Sequence, residues 1–257
     1  MIIGVSLKMY FGHAQTLEWC RGVAALTAER PASSTRLFLL PSFPSLPAVA
    51  DLLSGTGVAF GAQDLAAADA GAQTGEVGGA MLAELGCRYV EVGHAERRTL
   101  FGEGEDLVAA KTAAALRHGL VPVLCLGEAV RGEAAQAAVE CVRQLDSALA
   151  DSRAAGLTGP LVIAYEPHWA IGAAEPAPDE HISAVCAALR TAVAELDAHP
   201  DSSVIYGGSA GPGLLARLAD TVDGLFLGRF AHDPAALATV LDEADDLAVR
   251  RLEGAER

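Results

Sequence analysis

A closed, parallel (β/α)₈ barrel of the α/β class is the fold this chain predicts, and three observations predict it. Short apolar, β-rich runs alternate along the sequence with longer alanine-rich segments of helical period. The length, 257 residues, lies at the upper end for one domain, where α/β barrels routinely fall. Charged residues, an imidazole and paired glycines recur where the apolar runs end, which is where such barrels carry function.

Taken in order, Ile2–Leu7 is the first expected strand, ending on Lys8, and Thr16–Glu29 follows with helical period. Arg36–Leu40 and Val58–Ala62 are the second and third strands, and Tyr89–Val92 is the fourth, ending on Gly93-His94. Asp106–His118 is helical, Val121–Leu124 extended, and Ala134–Asp151 helical again. Leu161–Tyr165 is a strand stopped by Glu166-Pro167, and Pro178–Ala198 is the next helix. Ser203–Tyr206 runs into Gly207-Gly208-Ser209, Gly224–Leu227 into Gly228-Arg229, and Pro234–Leu247 closes the pattern as a helix. Residues 248–257 are charged and expected to fray. No composition break or Ser/Gly linker marks a boundary, so residues 1–257 are read as one domain.

Composition narrows the function. With 18 basic and 33 acidic side chains the formal charge is −15, which argues against nucleic acid or an anionic membrane as partner. An anionic substrate therefore needs a local positive feature. Cysteines 20, 87, 125, 141 and 186 are scattered, without a Cys-x-x-Cys pair, and are expected to be buried free thiols in a reducing cytosol. The start, Met1-Ile2-Ile3-Gly4, has no basic or signal-like segment, and no apolar run approaches the ~20 residues of a membrane helix. A soluble, cytoplasmic protein is expected.

The chemistry gathers at the strand ends. In Ala164-Tyr165-Glu166-Pro167-His168-Trp169-Ala170-Ile171-Gly172, a carboxylate ends an apolar strand and a loop follows that can fold over it. That arrangement suits proton abstraction sheltered from water, with Glu166 as base. In Val92-Gly93-His94-Ala95-Glu96-Arg97-Arg98, polar residues that can cap a helix start follow the histidine. A helix N-terminus lowers a nearby imidazole's pKa, which would keep His94 neutral and able to donate toward an oxyanion. Lys8 is a cation at the barrel mouth of an acidic chain. Glycine-rich turns let backbone N–H groups approach an anion closely. The histidines share no metal-ligand spacing, so neither metal nor cofactor is expected.

The Glu166 and His94 segments together resemble the triosephosphate isomerase family, and the resemblance reaches from Gly4 to about Pro234. It implies a TIM barrel with Glu166 as base, His94 as electrophile, Lys8 as cation and Glu96 as the carboxylate that supports the lysine. Glu96 could equally pair with Arg97 or Arg98. It further implies phosphate binding at Gly172, Ser209 and Gly228, a lid over roughly Pro167–Ala177, and a homodimer through the loop Gln63–Glu76, in which Thr74 reaches a neighbouring site.

Six departures surround the site. Ser6 stands where the family usually has asparagine, Leu7 replaces a tryptophan, Tyr10 an asparagine and Ala95 a serine. Ala173-Ala174-Glu175 replaces a Thr-Gly-Lys lid tip, and Arg229 replaces a glycine. Ser6 and Ala95 make room near the reacting carbons, Ser6 is itself expected among the substrate- or phosphate-binding residues, and Arg229 adds a guanidinium able to grip phosphate or a further hydroxyl. Arginine there resembles a branch that handles four-carbon ketose phosphates, the L-erythrulose-1-phosphate isomerases. The expected activity is thus an enediol-based sugar-phosphate isomerisation on L-erythrulose 1-phosphate. Two alternatives stand beside it: the three-carbon reaction on dihydroxyacetone phosphate, and a phosphate-binding barrel without catalysis.

Overall fold

The computed structural model describes residues 1–30, 35–218 and 220–255. In chain order the elements are β1 Ile2–Ser6, α1 His13–Ala28, β2 Arg36–Leu40, α2 Leu46–Leu53, β3 Ala59–Ala62, α3 Gly79–Glu84, β4 Tyr89–Val92, α4 Ala95–Phe101 and α5 Glu105–Arg117. They continue with β5 Val121–Leu126, α6 Ala134–Ala148, α7 Ala150–Ala154, β6 Val162–Tyr165, α8 Asp179–Ala194, β7 Ser203–Tyr206, α9 Leu214–Leu218, β8 Gly224–Leu227 and α10 Pro234–Ala255. The eight strands close into a parallel barrel in sequence order, β1 pairing with both β2 and β8. The (β/α)₈ TIM barrel expected from the sequence is the fold observed.

Differences from the expected boundaries are local. The segment expected as one helix over 134–151 is broken at Leu149 into α6 and α7. The fifth strand runs two residues further than expected, to Leu126. The helix expected over 178–198 stops at Ala194. The last helix runs to Ala255, beyond the expected end at Leu247. Residues 256 and 257 lie outside the described part of the chain.

Strand alternation decides what faces the lumen. Ile3, Val5, Leu39, Val90, Val92, Ile163 and Tyr165 pack outward against the helices. Ile2, Phe38, Leu40, Tyr89, Val123, Cys125, Ala164, Ile205 and Phe226 form a separate inner cluster. Such a period of two turns the next inward position of each strand toward the C-terminal mouth. Phe38 stacks on Tyr89 at 4.3 Å and on Phe226 at 6.1 Å, plugging the lumen. Gly4 is required there, because a Cβ would overlap the Phe38 ring. One layer above the plug come Ser6, Glu91, Glu166, Gly207 and Gly228, and the lumen turns polar.

A buried ion network fixes the rim beside this layer. Lys111 Nζ, on α5, sits 2.6 Å from both Asp64 Oδ1 and Glu103 Oε1. Arg97, on α4, pairs with Asp64 at 2.8 Å and with Glu103 at 2.6 Å. The loop after β3 and the start of α4 are thereby held to one another.

Candidate active site

A cavity of about 610 Å³ opens at the C-terminal mouth, and Ser6, Lys8, His94, Glu96 and Glu166 line it together. Gly172, Ser209, Gly228 and Arg229 line the same cavity. All nine residues singled out from the sequence therefore meet at one mouth. Ligand pockets for small metabolites fall in this size range.

His94 is the N-cap of α4, and its Nδ1 accepts the Glu96 backbone N–H at 3.1 Å. That bond fixes the tautomer: Nδ1 is the acceptor, so the proton of the neutral ring sits on Nε2. Burial, together with the Lys8 ammonium, pushes the imidazole pKa down to about 4. The ring is thus neutral at physiological pH and presents an N–H to the cavity. Its Nε2 lies 3.4 Å from Glu166 Oε2.

Glu166 follows β6, and Pro167 after it ends the strand. Its Oε2 is buried without a hydrogen-bond partner among the described residues. Burial and the nearby Glu91 carboxyl raise its pKa to about 8, against a smaller opposing pull from Lys8 and Cys125. A carboxylate held dry and short of partners is a strong base, which suits removal of a carbon-bound proton. Gly207 makes the space, since a Cβ there would stand 2.6 Å from Glu166 Oε1.

Lys8 Nζ bonds Glu96 Oε1 at 2.7 Å, which assigns Glu96 to the lysine. Arg97 and Arg98 take other partners, Arg98 pairing with Glu105. Burial works against the Lys8 charge, yet the Glu96 bond and the Glu166 and Glu91 carboxylates raise its pKa above the ordinary value. Lys8 and Ser209 both hold positive φ, +49° and +50°, a conformation non-glycine residues adopt at a cost.

The loop after β6 makes a single 3₁₀ turn at His168–Ala170 and folds against the loop after β7. Ser209 Oγ lies within bonding distance of the Ala170 and Ala173 carbonyls, at 2.8 and 3.0 Å. The Tyr206 hydroxyl accepts the Ala177 N–H at 3.0 Å. At the start of the same loop Glu128 accepts Trp169 Nε1–H at 2.8 Å and contacts Tyr165 Oη and His181 Nε2. Gly172, at φ +71°, turns the tip. Among the described residues no protein group takes up the backbone N–H of Gly172, Ser209 or Gly228. Arg229 lies over the Tyr10 ring, 5.7 Å from its centroid, and among the described residues no carboxylate pairs with it. These free donors suit a phosphate.

Sequence reading did not single out Glu91, Cys125, Glu128 or the Tyr206 hydroxyl. Glu91 had a signal: a carboxylate between two valines, in phase with the inward Tyr89. The Glu128 cluster had none, because its members lie 37 to 53 residues from it in the chain.

The family model for triosephosphate isomerase matches residues 1–244. The chain is 55% identical over 247 residues to L-erythrulose-1-phosphate isomerase of Pectobacterium atrosepticum, covering 95% of each chain. It is 41% identical over 235 residues to triosephosphate isomerase of Symbiobacterium thermophilum, covering 88% of this chain and 90% of the relative. With triosephosphate isomerase of Mycobacterium avium the identity is 38% over 247 residues, covering 93% and 94% respectively.

Proposed function

The chain belongs to the triosephosphate isomerase family, and from that premise we infer that it isomerises a four-carbon ketose phosphate, L-erythrulose 1-phosphate. This substrate is dihydroxyacetone phosphate with a hydroxymethyl in place of one hydrogen on the reacting carbon. Glu166 takes the proton from C3, and the electrons of that C–H bond form the C2–C3 double bond. The C2 carbonyl oxygen becomes the enediolate oxygen, stabilised by the His94 Nε2–H and the Lys8 ammonium. Glu166 returns the proton to C2 while the hydroxyl proton on O3 passes to O2, so the carbonyl ends at C3 and nothing is gained or lost.

The observation that carries the isomerase chemistry is the His94–Glu166 pair, with a donor and a carboxylate oxygen unpartnered among the described residues 3.4 Å apart at one cavity wall. The four-carbon choice rests on the 55% identity to L-erythrulose-1-phosphate isomerase. A catalytically inert phosphate binder has no use for a dry carboxylate facing a tautomer-locked imidazole. Gly172, Ser209, Gly228 and Arg229 hold the phosphate, and Glu96 keeps Lys8 in place. The lid excludes water and limits loss of phosphate from the enediolate. The three-carbon reading rests on the relatives named triosephosphate isomerase. Turnover measured on both ketose phosphates decides between them, and conversion of dihydroxyacetone phosphate with none of the tetrulose ester ends the four-carbon reading. Glu166→Ala should abolish solvent-proton exchange into bound ketose phosphate; unchanged exchange removes Glu166 from its role.

A homodimer completes the proposal. The loop from Gln63 is anchored by Gln63 Nε2, which donates to the Lys8 and Leu40 carbonyls, while Asp69–Glu76, including Thr74, is exposed. Met9, Tyr10, Leu100 and Phe101, on segments that follow β1 and β4 at the same end of the barrel, are exposed apolar or aromatic side chains. Sedimentation at micromolar concentration should give twice the chain mass. All five cysteines are free and buried, which supports a reducing, cytoplasmic setting. No described helix is long and apolar enough to cross a membrane.

A further inference from the structure

Glu91 helps to raise the pKa of Glu166 but carries no proton in the path above. It lies on β4 two residues beyond the inward Tyr89, so it points into the lumen one layer above the aromatic plug. Ser6 reaches it from β1, a strand that does not pair with β4, and donates its hydroxyl to Glu91 Oε2 at 2.9 Å. Glu91 Oε1 lies 3.9 Å from His94 Nε2, and the side chain is 4% exposed. Burying a carboxyl this deeply costs stability, and an apolar residue of similar volume is commonly as stable or more so. Packing therefore gives no reason for a glutamate between Val90 and Val92.

The direction of the Ser6 bond supplies one. A serine hydroxyl has one proton and two lone pairs. With Glu91 ionised, as it is above about pH 7, the proton is committed to it and Ser6 Oγ offers lone pairs to the cavity it lines. At that point, beside the electrophile and the base, the wall accepts a hydrogen bond and does not give one. It suits a substrate hydroxyl and disfavours a carbonyl or phosphate oxygen.

We propose that the Ser6–Glu91 pair is the subsite for the terminal hydroxyl of a sugar phosphate that extends one carbon past the enediol. Ser6 touches that hydroxyl, and Glu91 is a positioning residue that keeps Ser6 an acceptor. The inference rests on the four-carbon reading and deepens it. A three-carbon ester leaves the Ser6 lone pairs to water, so the pair discriminates by chain length rather than driving the proton transfer.

The test is kcat/KM on L-erythrulose 1-phosphate and on dihydroxyacetone phosphate, the latter followed by solvent-deuterium exchange, for wild type, Glu91→Leu, Glu91→Gln and Ser6→Ala. Glu91→Leu and Ser6→Ala should lower the four-carbon to three-carbon ratio by roughly tenfold to a hundredfold, the loss expected for one buried hydrogen bond to substrate. Glu91→Gln keeps an oxygen that accepts from Ser6 and should restore most of the ratio. Equal losses on both substrates, or an unchanged ratio, overturn the subsite while leaving the isomerase reading intact. A wild-type protein that ignores the tetrulose ester overturns the four-carbon reading and the subsite together. Should a variant fail to fold, inhibition of the wild type decides: a tetritol 1-phosphate should bind at least tenfold tighter than glycerol 3-phosphate, and equal binding overturns the proposal.

Discussion

Replacing Gly207 by alanine should slow turnover without unfolding the protein. The φ of Gly207 is not in the left-handed region, so alanine can adopt its backbone conformation. The added Cβ, however, would stand 2.6 Å from Glu166 Oε1 and 2.7 Å from its Cγ. Non-bonded heavy atoms rest at roughly 3.5 Å, so the carboxylate must retreat by about 0.8 Å or more. A misplacement near 1 Å costs about a hundredfold in rate, and the loss should fall on kcat because the phosphate donors are untouched. The carboxylate can swing into the cavity, which keeps the stability change near 1–2 kcal/mol or less. The assay is kcat and KM on the ketose phosphate, with a thermal melt of the same sample. A variant that melts like wild type and keeps kcat within threefold would show that this pose of Glu166 is not the reactive one.

Two further substitutions probe the grip and the lid. Ser209→Ala removes the hydroxyl that bonds the Ala170 and Ala173 carbonyls, so kcat should fall about tenfold and inorganic phosphate release per isomerisation should rise several-fold; an unchanged product ratio argues against a lid held this way. Arg229→Gly removes a guanidinium with no carboxylate partner among the described residues, so KM should rise tenfold or more with a smaller change in kcat. An unaltered KM would take Arg229 out of the phosphate site.

The barrel was legible because strand and helix alternate with clear periods, and five of the eight strand ends carry residues that packing alone does not explain. Glu166, His94 and Lys8 could be named because their motifs are contiguous. What could not be read were relations made by closure. Ser6 and Glu91 are 85 residues apart and meet only because β1 and β4 face across one lumen. Choosing Lys8 over Arg97 or Arg98 as the partner of Glu96 needed the ion network that draws Arg97 to Asp64 and Glu103. The break at Leu149 had no Gly or Pro to announce it.

The two lumen carboxyls set stability against activity. Burial is the first cause of the raised pKa in both, about 8 for Glu166 and about 7 for Glu91. In the unfolded chain each ionises near its ordinary value of 4.5, so between that pH and the folded pKa the folded state binds more protons. Stability contributed by each is therefore full below pH 4.5 and falls as pH rises, by up to about 1.4 kcal/mol per pH unit per group. His94 has the opposite slope: its pKa is lowered from 6.5 to about 4, so acidification below 6.5 destabilises the fold. Above pH 6.5 the carboxyls act without it. Urea unfolding at fixed protein concentration should show wild type losing stability from pH 6.5 to 8, and Glu166→Gln losing distinctly less. Over the same interval kcat/KM of the wild type should climb, because the base must ionise to act. Neutral His94 adds no limb there. Parallel stability slopes for the two proteins would mean that Glu166 ionises in the ordinary carboxylate range, and the dry base on which the proton chemistry depends would be lost.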